Sequence, residues 1–114
     1  MVRSANRSRT ARGRTRRDDP GAVDLVLYVS PSSRYTHAAR RNCEALVARF
    51  DPRRLRLEIC DVSRNPERAE EDAVYFTPML VKRSPLPRTF VLGDLSDATA
   101  VMELLESCGV NPRR

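Results

Sequence analysis

The chain has 114 residues, 40% of them apolar, which is enough for one domain with a modest core. No apolar run approaches the ~20 residues that span a bilayer, and the three cysteines, Cys43, Cys60 and Cys108, are odd in number and widely spaced, the pattern of reduced cytoplasmic thiols rather than of a disulfide framework. The formal charge of +6 is uneven: residues 1–22 hold seven arginines against Asp18 and Asp19, a net of +5, which leaves +1 for the other 92 residues.

In chain order, residues 1–22 mix Arg, Ser, Thr, Asn and Gly with almost nothing apolar, so they are expected to form a disordered arm ending at Pro20 and Gly21. No apolar segment follows the arginines, so no secretory signal is expected. The folded domain is expected over residues 23–114. Val23 to Val29 is apolar enough for a strand buried on both faces, ended by Ser30 and Pro31. From Thr36 to Phe50, Ala39, Cys43, Leu46 and Phe50 recur at helical spacing, and Asp51 and Pro52 end the helix. Leu55, Leu57 and Ile59 alternate with Arg56, Glu58 and Cys60, the period of a half-buried strand, with Cys60 on its outer side as the exposed thiol.

Asn65 and Pro66 suit the cap and first position of a short helix, with Glu67, Glu70 and Glu71 favourable to its dipole. Met79 to Lys82 and Thr89 to Leu92 read as strands joined by a turn around Pro85 and Pro87. A last helix starts at Asp94 or Ser96, buries Val101, Leu104, Leu105 and Cys108, and stops at Gly109. The order is β-α-β-α-β-β-α, the thioredoxin-like α/β plan.

A redox protein on this plan needs two cysteines where the first strand meets its helix, so that the helix dipole lowers a thiol pKa. Ser30, Pro31, Ser32, Ser33, Arg34 and Tyr35 stand there instead. His37, the only histidine, reads as a solvated side chain, and Glu70, Glu71 and Asp72 read as a solvated helix face rather than a metal cluster. No glycine-rich loop offers a phosphate cradle. The expectation is a protein with no enzymatic activity and no cofactor.

Several elements stand in a specific order: Leu27, Tyr28 and Val29; Asp61 and Val62; Asn65, Pro66 and Glu67; Ala69, Glu70, Glu71 and Asp72; Thr77 and Pro78; Leu80, Val81 and Lys82; Pro85, Pro87 and Arg88; and the block Gly93 to Asp97. In this order and spacing they resemble the signature of the KaiB family of bacterial circadian clock proteins, over about residues 23–108. The resemblance implies a metamorphic protein. One state is thioredoxin-like, with a cis Thr77–Pro78 bond; in the ground state the second half repacks to give β-α-β-β-α-α-β, often as a homo-oligomer such as a dimer or tetramer. Thr77, Pro78, Gly93 and Asp94 are the expected fold-switch residues, since Gly93 tolerates positive φ and Asp94 caps.

The resemblance also implies docking on a KaiC-like ATPase ring, with a KaiA-like protein or a clock-associated histidine kinase as further partners. The means would be strand addition at an edge strand Leu55–Val62 and the exposed face of the first helix, with Arg40, Arg41, Arg56, Glu58, Lys82 and Arg88 as contacts. Many family members carry Arg followed by Ala on the first helix where this chain has Ala38 and Ala39. Two rival readings remain: a nucleic-acid or polyanion binder acting through the arginine-rich arm, against which stands the lack of aromatic residues to stack on bases, and a detached sensor domain of a clock-associated kinase.

Overall fold

In the computed structural model, which describes residues 22–113, the elements follow as β1 (Val23–Val29), α1 (Thr36–Val47), β2 (Leu55–Asp61), α2 (Pro66–Glu71), β3 (Met79–Ser84), β4 (Thr89–Leu92) and α3 (Thr99–Ser107). The strands make one sheet in the order β2-β1-β3-β4. β1 runs parallel to β2, as a strand–helix–strand crossover requires, and β3 lies antiparallel to both β1 and β4. This is the order expected from the sequence. The expected arm lies outside the described residues except for Ala22, which is buried.

β1 is apolar without alternation because both of its faces are covered. Leu25, Leu27 and Val29 pack with Ala39, Cys43 and Leu46 of α1 and with Val101 and Leu105 of α3. Val26 and Tyr28 face the other way, against Ala69 of α2, Cys60 and Val81. Each such aliphatic side chain contributes about 1.5–3 kcal/mol on burial, so the central strand anchors both layers. α1 ends at Val47, earlier than its periodicity implies. A further turn, with Arg49 N donating to Leu46 O and Phe50 N to Val47 O, still carries Phe50 into the core.

The structure corrects four local expectations. Cys60 is buried, because α2 covers the sheet face that alternation alone assigns to solvent. Asp72 is not solvated but 1% exposed at the end of α2. Lys82, expected among the partner contacts, is 4% exposed, and its Nζ lies 3.8 Å from Cys108 Sγ at the end of α3. The last helix begins at Thr99, not at Asp94 or Ser96; Asp97 Oδ1 accepts from Thr99 N at its start, and Leu95, rather than Leu104, enters the core. Its end is as expected. Gly109 takes φ +79°, Gly109 N donates to Glu106 O and Val110 N to Leu105 O, the paired bonds of a Schellman cap.

Candidate partner-binding surface

The β1–α1, α2–β3 and β4–α3 loops meet at the carboxyl end of β1, where Tyr28 pairs with Met79. They enclose a shallow cleft of about 260 Å³ lined by Thr77, Pro78, Gly93 and Asp94, with Tyr35, Phe76 and Leu92 as apolar walls. All four expected fold-switch residues thus border one cleft. The Thr77–Pro78 bond is cis. Gly93, at φ +117°, donates its N–H to Pro78 O at 3.0 Å, and Asn42 Nδ2 ties Asp94 O to α1 at 2.9 Å. Asp94 Oδ1 accepts from Ser96 N at 3.0 Å, and that bond holds its carboxyl below the usual carboxylate range.

The cleft is bordered by exposed apolar side chains. Phe76 and Leu92 are 67% and 60% exposed. In the β1–α1 loop Ser30 and Ser32 hydroxyls bond each other at 2.8 Å, Thr36 Oγ1 donates to Ser30 O, and the Arg34 guanidinium lies 5.0 Å from the Tyr35 ring centroid. Burial pushes the Cys43 thiol up to about 12 and raises that of Cys60, so neither is a thiolate at neutral pH. Among the described residues no group of three or more His, Cys, Asp or Glu is placed to hold a metal ion, and no helix is long and apolar enough to cross a membrane.

The charged residues singled out in the sequence do not form one patch. Arg40 and Arg41 are exposed on α1, with Arg40 3.7 Å from Glu44 in an i,i+4 pair worth a few tenths of a kcal/mol at most, about 0.3–0.5. β2 is an edge strand, and Arg56 and Glu58 sit on its α2-facing side, opposite the face that α1 covers. Both are already paired: Arg56 Nε donates to Asp24 at 2.8 Å, and Arg68 makes a two-pronged contact to Glu58. Arg88 Nη1 lies 2.9 Å from Asp72 Oδ1. Lys82 is buried, with Cys108 at the end of α3 beside it.

Two features escape the sequence. Asp72 receives the Tyr28 hydroxyl at 2.5 Å and lies 3.4 Å from Arg83 Nε, so with Arg88 it fastens α2 to β1, to β3 and to the turn after β3. Burial, followed by this hydrogen bond, raises the Tyr28 phenol and keeps it a neutral donor. Nothing in the acidic run distinguishes Asp72 from the exposed Glu70 and Glu71; only a central-strand tyrosine needing a partner hints at it. The cleft walls are the second feature, signalled by Tyr75 and Phe76 standing in a loop rather than a strand.

Solved structures share this architecture at low identity: chloroplastic thioredoxin z (20% identical, TM-score 0.65, covering 82% of this chain and 81% of that one) and the N-terminal domain of Synechococcus elongatus SasA (20%, TM-score 0.60, 75% and 81%). Among curated relatives, the circadian clock protein KaiB3 of Synechocystis sp. is 31% identical over 84 residues, 74% of this chain and 82% of its own length. The circadian clock oscillator protein KaiB of Acaryochloris marina is 35% identical over 78 residues, 68% and 75%. The family model described as the KaiB domain matches residues 26–107, from the middle of β1 to the last residue of α3. A thioredoxin-like sheet whose thiol position is filled by serines, carrying the KaiB pattern along nearly its whole length, belongs to the KaiB family.

Proposed function

We propose that this chain is a non-catalytic clock or signalling regulator that docks, in its thioredoxin-like fold, on a KaiC-like ATPase ring and modulates that ring's output. A KaiA-like protein and a clock-associated histidine kinase are the further partners on this reading. The observation that carries it is the convergence of Thr77, Pro78, Gly93 and Asp94 on one cleft in a KaiB-family chain. Docking needs no bond chemistry. Its means are the open edge of β2 and the exposed Arg40 and Arg41 on α1.

Two buried charged groups set the balance between this fold and a repacked second half. The Asp72 contacts to Tyr28, Arg83 and Arg88 favour the thioredoxin-like arrangement, while the ammonium of Lys82, with a thiol as its neighbour, opposes it. A ring that binds one arrangement selects it, and its apparent affinity falls with the fraction of chain in that state.

The test is co-sedimentation of the full chain with the host's KaiC-like ATPase, with and without ATP. Retention is expected, unchanged by removal of residues 1–21 and weakened by the double substitution Arg40→Glu, Arg41→Glu. Failure of the intact chain to associate under any nucleotide condition overturns the reading.

A further inference from the structure

The two edges of the sheet differ in chemistry. β2, on one side, carries the charged Arg56 and Glu58. β4, on the other, reads Thr89, Phe90, Val91, Leu92, with neither a charge nor a proline, and among the described residues no strand pairs with its outer side. Charges, prolines and bulges are what ordinarily keep an open edge from pairing with another strand. Gly93 N donates to Pro78 O at 3.0 Å, and the register continues unbroken from Met79 opposite Leu92 to Lys82 opposite Thr89. Antiparallel bonding alternates along a strand, so Thr89, Val91 and Gly93 turn their backbone groups to β3. The N–H and C=O of Phe90 and Leu92 face the open edge.

The side chains on this edge are apolar and open. Phe90 stands opposite Val81 and Leu92 opposite Met79, on the face of the sheet that carries α2. Phe90 is 44% exposed, and Leu92, with Phe76 on the same cleft wall, is more open still. A second copy of the chain matches this edge. With Val91 opposite Val91 across a two-fold axis, Phe90 meets Leu92 of the other copy and Leu92 meets its Phe90. Each such pair has edge-facing backbone groups and apolar side chains on one face. The same register sets the exposed Arg88 opposite Asp94 of the other copy on both sides of the axis, cation against anion. The neighbouring registers set Arg88 against Leu92, or Phe90 against Asp94, and lose that match.

We propose that two copies of this chain, each in the thioredoxin-like fold, join through β4, antiparallel about a two-fold axis at Val91, into one continuous sheet with β2 at both ends. Each Phe90–Leu92 pair exchanges both of its backbone hydrogen bonds, and the apolar side chains around them leave water. β4 has four residues, short beside the ~800 Å² per partner of a standard interface, so the dimer forms at micromolar concentration rather than below it. The contact lies at the sheet edge opposite β2 and leaves α1 open, so it does not rest on ring docking.

Sedimentation equilibrium of the full chain across a micromolar concentration series tests it. The mass should rise from that of one chain to that of two and stop there, as a closed two-fold contact requires. Phe90→Lys and Leu92→Glu, both at exposed side chains, should each weaken self-association about ten-fold or more with an unchanged circular dichroism spectrum. Mixed in equal amounts, the two variants should dimerise again, because the introduced ammonium then lies opposite the introduced carboxylate while the remaining Leu92 and Phe90 still pair. In the parent, the amides of Phe90 and Leu92 should exchange more slowly as concentration rises, and that of Val91, bonded to β3, should not change. Removal of residues 1–21 should leave the dimer intact. The mass of one chain at every concentration, self-association undiminished in either variant, or a mixture that stays monomeric each overturns the proposal. So do Phe90 and Leu92 amides indifferent to concentration, a dimer lost with residues 1–21, or a monomer whose edge instead takes up an added peptide of alternating Val and Thr.

Discussion

Replacing Asp72 by asparagine keeps the shape of the side chain and removes its charge at the point where α2, β1, β3 and the β3–β4 turn are joined. The carboxylate is 1% exposed and accepts the Tyr28 hydroxyl at 2.5 Å, with Arg88 at 2.9 Å and Arg83 at 3.4 Å. Stranding a fully buried partner charge costs about 3–5 kcal/mol. Here the two arginine side chains are 39% and 34% exposed and regain water, so most of that cost is screened away. What remains is the exchange of one charge-assisted hydrogen bond from Tyr28, about 1.5–3 kcal/mol, for a neutral one of about 1 kcal/mol, together with the loss of two screened ion pairs to Arg83 and Arg88. The expected loss is about 1–3 kcal/mol, or about 5–20 °C in Tm for a domain of this size. Urea unfolding followed by circular dichroism measures it, and Tyr28→Phe completes a double-mutant cycle with a coupling of about 1 kcal/mol. A loss below about 0.5 kcal/mol, or strict additivity with Tyr28→Phe, would refute the clamp.

Three further outcomes follow from the same contacts. Lys82→Met removes a buried ammonium whose one hydrogen-bond partner among the described residues is Cys108 Sγ and should raise the urea midpoint by the equivalent of about 1–2 kcal/mol; a lowered midpoint contradicts this. Asp94 and Asp97 have carboxyl pKa values held below normal by Ser96 and Thr99, so their stabilisation is complete above the unfolded value of about 3.9 and is lost as pH falls through the folded values. Stability titrated downward from about pH 5 should therefore fall less steeply in Asp94→Asn, Asp97→Asn than in the parent, and identical acid limbs would sink the assignment. Gly109→Ala forces a side chain into φ +79° at the cap of α3 and should cost about 1 kcal/mol in thermal unfolding, with no cost if α3 ends without that cap.

The fold was legible because its signals are local. The uninterrupted apolar run of β1, the spacing of Ala39, Cys43 and Leu46, and Gly109 past α3 each report a period or a cap that needs no tertiary knowledge. The errors share one physical cause: alternation says which residues lie on opposite faces but not whether the second face is covered. A six-residue α2 was enough to bury Cys60, and the end of α3 was enough to bury Lys82. Asp72 was misread for the same reason, since a carboxylate at the end of an acidic run gives no sign of a tyrosine waiting on β1. The cleft was half visible: Thr77, Pro78, Gly93 and Asp94 were identifiable as residues, but their meeting depends on β3 and β4 pairing in register, with Met79 opposite Leu92.

Hydrogen exchange of the full chain, alone and mixed with the host's KaiC-like ATPase and nucleotide, tests ring docking most directly. Slowed exchange is expected at the amides of β2, Leu55–Asp61, and along α1, Thr36–Val47, in the presence of the ring. Exchange profiles that coincide at every residue with and without the ring would contradict it.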